Sequence, residues 1–124
     1  MKSLLAAVLA LGLTAGSAHA ACSYPKAPEK IPDGRSATLD EMRSAQLAVK
    51  EYDKAITTYT DCLNLEYDGE IAKGGTNLSD QQKKELEKRR AQKQNAAVDE
   101  DQQVASRLNE QIRIFKAKQA ANKG

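Results

Sequence analysis

The chain has 124 residues, with 19 Lys and Arg against 17 Asp and Glu, one His, two Cys and no Trp. A formal charge of +2 creates no field that would select nucleic acid or an anionic membrane as partner. With 4% aromatic residues, a single domain of this size can fill a narrow helical seam but not a thick core.

Residues 1–20 read as a secretory signal peptide. Lys2 supplies the basic start, and "LLAAVLALGL" at 4–13 is an apolar run too short to span a bilayer. "AHA" at 18–20 fits the small-x-small cleavage rule and places cleavage after Ala20. Lipid anchoring at Cys22 is disfavoured, because His19 occupies the position where a lipoprotein signal needs a Leu-like residue. Removal of the leader takes away Lys2 and the one His, leaving 18 basic residues against 17 acidic ones. No transmembrane segment is expected in the mature chain.

The two cysteines, Cys22 and Cys62, are expected to pair with each other in an oxidising exported compartment. Closing so long a loop stabilises by about 4 kcal/mol in the chain-entropy model. Two free thiols, or a disulfide between two chains, are the alternatives.

Residues 21–37, "ACSYPKAPEKIPDGRSA", form an arm that holds all three prolines, Pro25, Pro28 and Pro32. Each fixes φ and removes a donor, so an extended polyproline-like state is expected, with a turn at "PDG". The domain proper is 38–124. "TLDE" at 38–41 opens the first helix with a capping box formed by Thr38 and Glu41. Met42, Ala45, Val49, Tyr52, Ile56, Tyr59 and Leu63 then alternate steps of three and four, which is a heptad seam. This predicts a helix from about 39 to about 72, weakened at Gly69 by roughly 1 kcal/mol and ended by "KGG" at 73–75.

Ser79 and Gln82 form a second capping box, and the second helix is expected from about 80 to about 118. Its first half is polar apart from Leu86; its second half carries Ala97, Val104, Leu108, Ile112 and Phe115. A break near 95–101 is allowed by the pattern but demanded by no breaker residue. Folding the chain about residue 76 sets Ile56 near Ala97, Val49 near Val104, Ala45 near Leu108, Met42 near Ile112 and Leu39 near Phe115. Apolar meets apolar at every level, which points to an antiparallel pair.

A two-helix seam leaves one side wet, and either the arm or a second copy of the chain must close it. The arm is long enough. Cys62 lies roughly 36 Å up the helix from Thr38 at 1.5 Å per residue, and 16 extended residues reach roughly 50 Å. Tyr24, Pro25, Ile31 and Pro32 would then cover Tyr52, Tyr59 or their neighbours.

Residues suited to chemistry are few. Without His the mature chain lacks the commonest general base and metal ligand. No CxxC or phosphate-binding glycine loop occurs. "DED" at 99–101 reads as a solvated helix face, since adjacent carboxylates diverge and no calcium-loop geometry surrounds them. "KKELEKRRAQK" at 83–93 offers Lys83, Lys84, Lys88, Arg89, Arg90 and Lys93 as contacts to an anionic surface. The competing interpretation is a helix surface with intrahelical pairs such as Glu85 with Arg89.

"PKAPEKIPDGRSATLDEMRSAQLAVKEYDKAITTYTDCL", followed by "NAAVDEDQQVASRLNEQIRIFK", resembles small exported helical proteins of Gram-negative bacteria, a group with no assigned function. The likeness spans most of the mature chain. It implies a periplasmic location and a helical fold, and it brings no catalytic residues.

The sequence therefore predicts an all-α protein: a long antiparallel, coiled-coil-like helical hairpin with an extended Pro-rich arm clipped by Cys22 and Cys62. It reads as a non-catalytic envelope protein with a structural or protein-interaction role, without cofactor or metal. An unidentified protein or a second copy is the expected partner. The alternative is a subunit that self-associates or docks on anionic surfaces through the basic face at 83–93.

Overall fold

The structure is a computed structural model that describes residues 21–124; the signal peptide assigned to 1–20 lies outside the described residues. Two helices, α1 (Leu39–Gly74) and α2 (Asp80–Ala121), are joined by a short 3-10 turn at Gly75–Asn77. The described residues contain no strand. The helices pack on each other as an antiparallel hairpin. Met42 clusters with Phe115 near the open end, and Asn64 meets Arg90 toward the turn.

Local chemistry sets both helix starts. The Thr38 hydroxyl accepts from the Glu41 N–H, and the Glu41 carboxylate accepts from the Thr38 N–H at 2.7 Å. Ser79 and Gln82 repeat the arrangement for α2. α1 runs through Gly69 and ends at Gly75, whose φ of 49° suits only glycine and whose N–H bonds the Ile71 carbonyl. α2 is unbroken through 95–101. Both helices run two or three residues past the ends expected from the sequence, as fraying ends commonly do.

The heptad seam is the buried face of α1: Met42, Ala45, Val49, Tyr52, Ile56, Tyr59 and Leu63 are all buried. Ala97, Val104, Leu108 and Phe115 face them from α2. One expected pair fails. Leu39 is half exposed, and Phe115 packs on Ala37 and Met42 instead. The alternating three-four spacing, carried back from Met42, reaches Thr38 and not Leu39, so Leu39 turns off the seam. Ala37, still in the arm, takes the vacant place.

The arm lies along this seam. Cys22, Ala27 and Ile31 pack against the main cluster of Ala45, Val49, Tyr52, Ile56 and Tyr59. The arm joins the helix through a turn in which the Asp33 carbonyl accepts from Ala37 N–H at 2.8 Å and its carboxylate accepts from Arg35 N–H at 2.9 Å. Gly34 is pressed onto α2. Its N–H donates to Gln111 Oε1 at 2.8 Å, and a Cβ at this position would sit 2.2 Å from the Gln111 carbonyl oxygen and 2.8 Å from the Phe115 nitrogen. A helix backbone cannot yield to such an overlap. Gly34→Ala is therefore expected to destabilise by about 1–3 kcal/mol or to lift the turn off α2, whereas Arg35→Ala, at an exposed site, should stay within about 0.5 kcal/mol. Urea unfolding of the two variants checks the contrast.

Candidate functional site

Two regions concentrate the polar and reactive groups of the described residues. The first is the clip and its surroundings. Cys62 stands two-thirds of the way along α1 and is bonded to Cys22, with the Cα atoms 5.8 Å apart; no free cysteine remains. Two residues on, the Tyr24 ring meets Tyr59 edge-on, centroids 5.1 Å apart at 70°. The Tyr24 hydroxyl donates to Glu100 Oε2. Tyr24 thus fastens the arm to both helices.

Burial and the Glu100 carboxylate push the Tyr24 hydroxyl far above the usual phenol range. Burial first and Glu100 second also raise Tyr52, whose hydroxyl is enclosed without a hydrogen-bond partner. Both shifts favour the protonated phenol, which leaves Tyr24 a donor to Glu100.

The acidic run at 99–101 is not the uniformly solvated face its composition suggests. Asp99 is exposed, but Glu100 and Asp101 are half-buried. Glu100 holds the arm. Asp101 turns toward α1, where one of its oxygens is enclosed without a partner. Burial, and then the Asp53 carboxyl facing it from α1, raise its pKa above the ordinary aspartate value. A helix that packs on an arm as well as on a second helix has less free surface than its periodicity suggests. The described residues hold no group of three or more His, Cys, Asp or Glu placed to bind a metal.

The second region is the tip of the hairpin, beyond the reach of the arm. Here the seam turns polar. Arg90 lies over the Tyr67 ring at 4.6 Å and donates to Asn64 Oδ1 at 3.0 Å. Gln94 donates to the same oxygen at 2.8 Å and reaches the Thr60 carbonyl. Arg90 is therefore a packing residue of the hairpin.

The six cations do not share one face. Lys83, Lys84, Lys88, Arg89 and Lys93 are exposed, while Arg90 is half-buried. Arg89, Arg90 and Lys93 line a small groove with Leu63, Tyr67 and Leu86, into which Glu66 and Glu70 also project. Lys84 and Lys88, one turn apart, stand on another side of α2. The expected Glu85–Arg89 pair is not formed. Glu85 accepts from Gln81 instead. The ion pairs of the described residues are Lys26–Glu29, Arg43–Asp40, Lys54–Glu51 and Arg113–Glu110.

No protein-family model, no curated protein and no solved structure matches this chain.

Two outcomes follow from the clip and the acid pair. Replacing both cysteines by serine is expected to lower stability by about 4 kcal/mol, with the helix signal retained in circular dichroism; calorimetry gives the number. Asp101 has a raised pKa in the fold, so its ionised form is disfavoured there. Its penalty is present in full above the folded-state pKa and disappears as pH falls through that value toward the ordinary 3.8. Asp101→Asn should therefore raise the melting temperature at neutral pH, and the advantage should vanish in acid. Glu41 and Glu110 have lowered pKa values, from the Thr38 N–H and from Arg113 respectively. They lose stability as pH falls, in wild type and variant alike, so the difference between the two melting curves isolates Asp101.

Proposed function

We propose that this is an exported, non-catalytic protein of the periplasm or envelope that acts through protein contacts, with its arm clipped to hold a two-helix scaffold rigid. The observation that carries this reading is the Cys22–Cys62 bond. A disulfide that staples a small domain belongs to an oxidising compartment, in agreement with the leader read at 1–20. The same bond argues against a lipoprotein, since thioether lipidation would consume the Cys22 sulfur that bonds Cys62. Leu47 and Leu65 are the most exposed large apolar side chains and are the natural points at which to look for contact.

A second reading, docking on anionic surfaces through 83–93, is favoured by the unpaired cations there. Weighing against it, Glu66, Asp68, Glu70, Asp80, Glu85 and Glu87 stand among Lys73 and those six cations, so residues 64–95 carry seven basic and six acidic groups. A nearly neutral end attracts a charged membrane weakly.

Expression of the full chain in a bacterial host tests the first reading. The periplasmic fraction should yield an intact mass beginning at Ala21, with both thiols blocked until reduction. A diacylglycerol addition on Cys22, or retention in the cytoplasm with free thiols, would overturn it. Crosslinkers placed at Leu47 and Leu65 should then capture protein in the periplasm while one placed at Lys116, exposed on α2, does not; equal yields at all three sites would remove the interaction role. Vesicles of anionic lipid test the second reading. Salt-sensitive binding that is lost on reversing Lys84, Lys88 and Arg89 would support it. Arg90 is left in place because it holds the hairpin together.

A further inference from the structure

We propose that the groove that holds residues 22–32 is also the docking site for the same segment of a second copy of this chain, and that thiol–disulfide exchange at Cys22–Cys62 trades arms between two copies. The inference does not depend on where the protein is located.

The arm is built to be separable. Among the described residues, the backbone of 21–32 forms no hydrogen bond to either helix. The segment is held by side chains, through the Tyr24 bond to Glu100, the Tyr24 contact with Tyr59, and the packing of Ala27 and Ile31. Its one covalent tie is the disulfide. The turn below it is anchored independently, by Gly34 on Gln111 and by Ala37 in the cluster with Met42 and Phe115. The hinge therefore lies between Pro32 and Asp33, and the arm can leave while the turn stays.

The occupant is identified by what already fills the groove. An empty groove would open apolar groups of the main cluster, Tyr59 and Ala45 among them, to water, which favours rapid refilling. The chemistry that fits is an extended segment with prolines at 25, 28 and 32, a cysteine opposite Cys62 and a phenol opposite Glu100. A second copy supplies that segment, and a reciprocal trade preserves every contact of the monomer in a closed twofold pair. The prolines keep the arm extended in either setting, so little ordering entropy opposes the trade. Because the turn stays on the open end of the hairpin, a released arm of roughly 31 Å points away from its own tip. The two hairpins must then meet open end to open end, with their tips apart.

The covalent steps balance without net oxidation. A small thiolate attacks Cys22 Sγ, forms a mixed disulfide and releases the Cys62 thiolate. The Cys62 thiolate of the other copy attacks that mixed disulfide at Cys22 Sγ and expels the small thiol. The reverse pair reacts likewise. Two intrachain bonds become two interchain bonds, and both equivalents of thiol are returned.

The experiment uses the chain beginning at Ala21, prepared with natural and with heavy nitrogen and mixed in equal amounts. The mixture is incubated over a range of concentrations in a glutathione redox buffer, quenched by alkylation and sized. The expected result is a dimer whose share grows with concentration and whose Cys22–Cys62 peptides are as often mixed as isotopically uniform. Solution X-ray scattering should show it about twice as long as the monomer, whose α2 measures roughly 63 Å at 1.5 Å per residue. Absence of dimer at every concentration would overturn the proposal. So would a dimer linked Cys22–Cys22 or Cys62–Cys62, or a dimer no longer than one hairpin.

Discussion

The rest of the structure depends on how an open seam is closed. Two helices packed in a hairpin bury only the stripe where they meet, and that stripe keeps a wet edge. In this chain the edge is covered by an extended segment of the same polypeptide, held at one end by the Cys22–Cys62 bond and at the other by Gly34 against the backbone of α2. Between these points the arm contributes small and medium apolar groups, Ala27 and Ile31, and the prolines keep it straight enough to follow the groove. A core with one Phe and four Tyr is too thin to tolerate a loose cover. The disulfide compensates by restricting the unfolded chain, which matters most where burial is scarce.

Along its length the hairpin changes the kind of interaction that joins the helices. From Ala37 to Leu63 the buried residues are all apolar, with the Asp53 and Asp101 carboxyls meeting beside them. Beyond Leu63 the contacts become directional: Asn64 accepts from both Arg90 and Gln94, and Arg90 also lies on Tyr67. An apolar seam can slide by a heptad with modest loss. A shared amide oxygen between two donors cannot, because displacement leaves partly buried polar groups unpaired. The polar tip fixes the register that the heptad leaves open, in the way a single polar seam residue does in coiled coils. This explains why the first half of α2 can be so polar and still pack.

The legibility of the sequence followed the same division. The heptad, both capping boxes, the glycine stop and the proline arm are local patterns with one physical meaning each. They gave the two helices, the buried face of α1 and the all-α hairpin. What the sequence did not reveal depends on partners far apart in the chain. Phe115 belongs to Ala37 because the seam register passes through Thr38, a matter of one residue. Glu100 and Asp101 look like solvent-facing charges until the arm supplies a phenol and α1 supplies a second carboxyl. Arg90 looks like one of six equivalent cations until Tyr67 and Asn64 are placed beneath it. Helical periodicity assigns a residue to a face, but a third element lying on that face escapes it.

The acidic groups near the clip gain their meaning from this arrangement. Glu100 binds the arm from α2, while Asp101, one residue on, faces Asp53 across the seam with an oxygen left unpaired. The two neighbours act in opposite directions. One ties the cover down, and the other is disfavoured in its ionised form by burial and by Asp53. Their adjacency places an electrostatic penalty beside the point where the arm is fastened. A hydrophobic residue at 101 would have given a tighter seam. The arm, bonded to Glu100 and clipped by the disulfide, covers the seam beside the Asp101 carboxyl.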